Sequence, residues 1–104
     1  MAYQSEVEKL TAQWNVKPEQ YFAPLADAYR KAGDVDMALE VVRAGLTKRP
    51  TYLSAHIVLG RCFLDRKDDV EAAMAFNKVL ELDAENIIAL RVLGEISERQ
   101  GDLA

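Results

Sequence analysis

One spacing constrains this chain more than anything else in it. Leu25-Ala26-Asp27-Ala28-Tyr29 returns 34 residues later as Leu59-Gly60-Arg61-Cys62-Phe63, and after another 34 as Leu93-Gly94-Glu95-Ile96-Ser97. Each copy sets a large apolar residue before a small one, and its fifth position is aromatic twice. Further along, Ala38 is answered by Ala72, Val42 by Phe76, Leu46 by Leu80 and Pro50 by Ala84. Gly33-Asp34 is answered by Lys67-Asp68 and by Gly101-Asp102. A fixed period of this length means that one supersecondary unit is stacked on copies of itself, sharing a core that no single unit could bury.

Local signals divide the period into helices. Tyr3, Val7, Leu10 and Trp14 fall on one face at helical spacing, predicting an amphipathic helix over about 3–14 that ends at Asn15. Ser5, Glu6 and Glu8 suit the positive end of its dipole. Lys17-Pro18-Glu19 reads as the start of a helix running to Ala32. Pro24 is awkward there, because an interior proline removes a hydrogen bond and crowds the preceding turn. Either the helix begins near Tyr21 or it bends at Pro24. Gly33 suits the left-handed conformation after a helix end, and Asp34 can cap a helix over about 35–48. Lys48 and Arg49 complement that helix's last turn and Pro50 stops it. Further helices are expected over about 53–66, over 69–82 with Asp68 as cap, and over 87–100. Ala26, Gly60 and Gly94 are expected where antiparallel helices cross closely, with Ala38 and Ala72 doing the same on the second helices.

These residues resemble the tetratricopeptide repeat (TPR), which pairs two antiparallel helices per 34 residues. The frame runs 19–52, 53–86 and, in part, 87–104, so the resemblance covers about four fifths of the chain. The first repeat offers Phe22, Leu25, Ala26, Tyr29, Ala38, Val42, Gly45 and Pro50. The second offers His56, Leu59, Gly60, Phe63, Ala72, Phe76, Val79 and Ala84, and the third Leu90, Leu93, Gly94 and Ser97. Asp69 departs from the hydrophobic residue usual at its position, which leaves room for that turn to shift by one residue. The resemblance implies an all-α fold: helix hairpins stacked as a right-handed superhelical solenoid, two full repeats plus the first helix of a third. Residues 1–17 form an extra N-terminal helix outside the repeat domain of 18–104. Its expected role is to cover the flank of the first repeat helix, with Trp14 as anchor. The alternatives are that it fills the concave groove or pairs two chains. Leu103 and Ala104 would begin the next helix, so the sequence reads as the N-terminal portion of a longer array.

With 104 residues, half of them hydrophobic, the chain suits one folded domain. Its net charge of −4 argues against nucleic acid or an anionic membrane as partner. There is no apolar run of membrane-spanning length and no signal-peptide pattern, so a reducing cytoplasm is the default location. Cys62 is the single cysteine, which rules out an internal disulfide.

No constellation points to catalysis or to a cofactor. His56 stands alone and reads as a half-buried structural histidine. Cys62, beside Phe63 on a helix, reads as a buried and inert thiol. Asp65, Asp68, Asp69 and Glu71 form a solvated acidic turn without the spacing or central glycine of a calcium loop. No glycine-rich phosphate loop is present.

The resemblance places the first helix of each repeat on the concave side. The partner-binding positions it implies are Asp27, Arg30, Ile57, Val58, Arg61, Leu64, Ile88, Arg91, Val92 and Glu95. Relatives that hold chaperone tails use lysines, asparagines and an arginine at positions that here carry Ala23, Asp27, Val58, Ile88 and Val92. All five depart, which argues against a tail-carboxylate clamp. Ile57, Val58, Leu64, Ile88 and Val92 are instead expected to form an exposed apolar strip that accepts a partner segment. The function implied is a non-enzymatic protein–protein interaction module or scaffold with a protein or peptide partner. The alternatives are self-association into a homo-oligomer and a regulatory domain of a larger enzyme.

Overall fold

The computed structural model describes residues 2–101, with side chains for 5–100. These residues form six helices: α1 (Ala2–Val16), α2 (Pro18–Lys31), α3 (Val35–Lys48), α4 (Leu53–Asp65), α5 (Asp69–Leu82) and α6 (Ile87–Gly101). There is no strand among the described residues. The Tyr3 side chain, Leu103 and Ala104 lie outside the described residues.

Helix boundaries follow local chemistry. Pro18 occupies the first turn of α2, where its missing N–H has no helical partner to lose. The helix then runs through Pro24, so the later start near Tyr21 is not adopted. Pro24 faces solvent, which lets water satisfy the carbonyl that its ring leaves without a donor. At the end of α2, Gly33 takes a φ of 91°. The Asp34 N–H reaches back to the Tyr29 carbonyl at 2.9 Å, and the Gly33 N–H to Arg30 at 3.0 Å. Asp34 Oδ1 then accepts from the Met37 N–H at 3.1 Å and caps α3.

The α4–α5 turn repeats this geometry with less suitable residues. Lys67 takes a φ of 62°. The Asp68 N–H bonds the Phe63 carbonyl at 2.9 Å and the Lys67 N–H bonds Leu64 at 2.9 Å. Asp68 sits at the cap position, but its side chain makes no capping hydrogen bond, contrary to the sequence expectation. Asp69 and Glu71 in the first turn supply the negative charge that favours a helix start. The turn does not shift: α5 begins and ends 34 residues after α3.

α2 packs on α3, α4 on α5, and α3 and α5 each pack on the helix that follows; α2 also touches α4, and α1 lies against α2. The stack measures 48 × 29 × 19 Å. Its centre is filled by Phe22, Leu25, Val42, Cys62, Phe76 and Val79, all fully buried, with Ala26, Ala38 and Ala72 between them. Gly60 is a true crossing point: a Cβ there would stand 2.5 Å from the Phe76 ring. Gly94 is not. It is exposed and has nothing within 4 Å of its Cβ direction, because no described helix lies where α5 covers α4.

Candidate functional site

The ten positions expected on the concave side belong to α2, α4 and α6, and the structure divides them into three groups. Ile57, Val58 and Val92 are not exposed; they retain 9, 7 and 8% of their surface and belong to the core. Leu64 and Ile88 are half-buried against that core. The exposed apolar strip expected from the sequence is therefore mostly interior. Adjacent hairpins close on it, with α2 against α4 and α5 against α6.

A second group is ionic and already paired. Arg30 Nε donates to Asp27 Oδ1 at 3.0 Å, and Arg30 Nη1 donates across the hairpins to Asp65 Oδ2 at 3.0 Å. Lys31 Nζ lies 3.3 Å from Asp27 Oδ2. Burial works against the Arg30 charge, but its bonds to Asp27 and Asp65 raise its pKa overall. Arg30 is thus committed within the fold.

The third group is Arg61, Arg91 and Glu95. Arg61 is half-buried on α4; Arg91 and Glu95 are exposed on α6. None of the three forms an ion pair among the described residues. Glu95 and Val92 line an open cleft with Leu64, Lys67, Asp69 and Arg99. Arg99 closes one wall, donating from Nε and Nη2 to both oxygens of Asp69 at 3.1 and 3.0 Å. Pairs such as Arg99–Asp69, Arg30–Asp65 and Arg66–Asp36 join different hairpins. Sequence spacing gave no sign of them, since 30 or more residues separate the partners.

The chemically reactive side chains are bound up in structure. His56 Nε2 donates to the Pro50 carbonyl at 2.7 Å, fastening α4 to the loop before it. Cys62 is fully buried, and desolvation pushes its thiol up to about 11 from 9.0. Among the described residues no group of three or more His, Cys, Asp or Glu side chains is placed to hold a metal ion. No described helix is long and apolar enough to cross a membrane.

Residues 24–87 match the family model of the Tetratricopeptide repeat. Among solved structures, the first TPR of Spaghetti (RPAP3) bound to the HSP90 peptide SRMEEVD is similar, with a TM-score of 0.87 at 20% identity. That likeness covers 96% of this chain and 81% of that one. The first TPR domain of human RPAP3, solved by NMR, gives 0.87 at 20% identity over 96% of this chain and 80% of its own. MamA 41-end from Desulfovibrio magneticus RS-1 gives 0.83 at 22% identity, covering 97% of this chain and 58% of that protein. At these identities the likeness is one of fold. No curated protein matches the sequence.

Proposed function

The chain belongs to the tetratricopeptide repeat family, and on that premise we propose that it is a non-enzymatic interaction module holding a segment of a partner protein against α2, α4 and α6. The observation that carries this reading is Arg61. It is a half-buried cation on the middle helix of the face, without an ion pair among the described residues. A charge held partly out of water with no counter-ion gains most from an incoming carboxylate. Half-buried Leu64, one turn further along α4, offers apolar surface beside it. The partner segment is accordingly acidic at one position and apolar at its neighbours.

The similar Spaghetti structure holds an HSP90 peptide ending in EEVD. The present chain is poorly suited to such a tail. Ala23, Val58 and Val92 are buried and apolar, and Ile88 has no donor to offer a carboxylate. Asp27 adds a like charge whose counter-ions are Arg30 and Lys31. The division into a covering helix over 1–17 and a repeat domain over 18–104 belongs to the same reading; it is supported by the packing of α1 against α2.

Two measurements test the reading. Affinity capture with quantitative mass spectrometry compares the wild type with Arg61→Glu, whose melting curve should be unchanged. Loss of specific partners from the variant supports the groove, and an identical capture profile refutes it. Titration with the peptide SRMEEVD should show no saturable binding; a micromolar isotherm would overturn the exclusion.

A further inference from the structure

The outer face of α6 is the one large helix face left without a neighbour among the described residues. Ile87 keeps 76% and Leu90 50% of their surface exposed. Gly94 follows on the same face with open space over it. Arg91 and Glu98 complete the stripe; both are exposed and neither forms an ion pair among the described residues. The order along the helix is apolar, cationic, glycine, anionic.

We infer that this face is a self-association surface, in which α6 packs antiparallel on α6 of a second copy about a two-fold axis between Gly94 and Glu95. The charge order selects a second copy as the occupant. With the axis there, Arg91 of each chain stands opposite Glu98 of the other, so both ion pairs form together. Gly94 lies at the axis, where two helices can approach to about 8 Å only if a side chain is missing. Ile87 and Leu90 then pack along the far half of the partner helix instead of facing water. Head-to-tail stacking on α1 matches poorly, because the first half of α1 exposes Ser5, Glu6, Glu8 and Lys9. The surface is distinct from Arg61, so this inference and the partner-binding reading fail independently.

A 15-residue helix paired with its copy gives a small interface. The dimer should therefore be weak, with a dissociation constant on the order of 10–100 µM. Sedimentation velocity of the full chain from micromolar to millimolar concentration should show reversible monomer–dimer exchange, weakened by salt. Arg91→Glu and Glu98→Arg each place like charges face to face, and each should weaken the dimer by about tenfold or more. The combined Arg91→Glu, Glu98→Arg chain should recover most of the wild-type association. All of these positions are exposed, and circular dichroism should confirm the same helix content. A monomer throughout overturns the inference and leaves the face to a helix from elsewhere. So does a dimer indifferent to either single change, or one not restored by the exchange.

Discussion

The ring of Phe22 occupies the space that a side chain at Gly45 would need. It is fully buried there and meets Tyr52 edge-on at 5.5 Å. The equivalent positions of the next repeat carry His56 and Val79. One turn along the same crossing the exchange runs the other way: Ala26 and Val42 in the first repeat become Gly60 and Phe76 in the second. Each repeat therefore seats one phenylalanine against one glycine, but from opposite helices. Phe22 comes from α2 and Phe76 from α5. Such volume exchange keeps the packing density of the interior constant while the sequence varies.

Gly45→Val should consequently destabilise the chain by about 1–3 kcal/mol, since a buried aromatic ring has little room to move. Adding Phe22→His installs the residue pair of the second repeat and should recover part of the loss. Urea denaturation of the wild type, both single variants and the double variant closes the cycle. A coupling energy near zero would show that the two positions do not share volume.

Gly60→Ala and Gly94→Ala should have opposite signs. The methyl at 60 meets the Phe76 ring at 2.5 Å, whereas the one at 94 meets nothing within 4 Å. Alanine at 94 should stabilise the helix by up to about 1 kcal/mol through propensity alone. At 60 the clash should outweigh that gain. Thermal melts at low micromolar concentration read both.

This contrast shows how far the sequence could be read. The period located the helices to within about two residues at most ends, because apolar spacing, Pro18, Gly33 and Pro50 act locally. It also marked Gly60, whose neighbour α5 lies within the same repeat. It misjudged Gly94, because a packing role needs a second helix and the pattern at 94 says nothing of whether one is there. The concave site was misread for a related reason. Period and spacing assign Val58 and Val92 to a face, but only the closing of adjacent hairpins decides that the face is interior. The cross-hairpin pair of Arg30 with Asp65 depends on that same closure.

Val58→Glu illustrates the consequence. On an exposed strip this change would probe partner binding with the fold intact. With 7% of its surface accessible, Val58 offers a carboxylate neither water nor a counter-ion. The variant should lose several kcal/mol, of the order found for unpaired buried charges. Circular dichroism should show reduced helix content or a strongly lowered Tm. A folded Val58→Glu chain with an unchanged melt would show that the position is open after all.

Lys67 adopts the left-handed backbone conformation that Gly33 adopts one repeat earlier, with φ values of 62° and 91°. A side chain there costs about 1–2 kcal/mol relative to glycine, and part of that is returned by the lower entropy of the unfolded chain. Lys67→Gly should therefore stabilise the fold by about 0.5–1 kcal/mol, while Gly33→Ala should destabilise it by a similar amount. Paired denaturation curves test both, and Lys67→Gly failing to raise the midpoint would mean that the lysine makes a compensating interaction.

Cys62 links the core to pH. Its folded-state pKa is raised to about 11 against an ordinary 9.0, because burial penalises the thiolate. The folded state thus holds the thiol proton more tightly than the unfolded one. The associated stability is complete below pH 9.0 and is lost progressively as the pH rises through about 11. Tyrosines and lysines titrate in the same range, so the informative quantity is a difference. Stability of the wild type minus that of Cys62→Ala, measured by urea denaturation, should be constant up to about pH 8.5 and should fall at higher pH. The same burial should leave the native thiol almost unreactive toward a thiol-specific reagent at neutral pH, with labelling following global unfolding. A flat difference curve to pH 11, together with rapid native-state labelling, would place the sulfur at the surface and contradict the packing of α4 against α5.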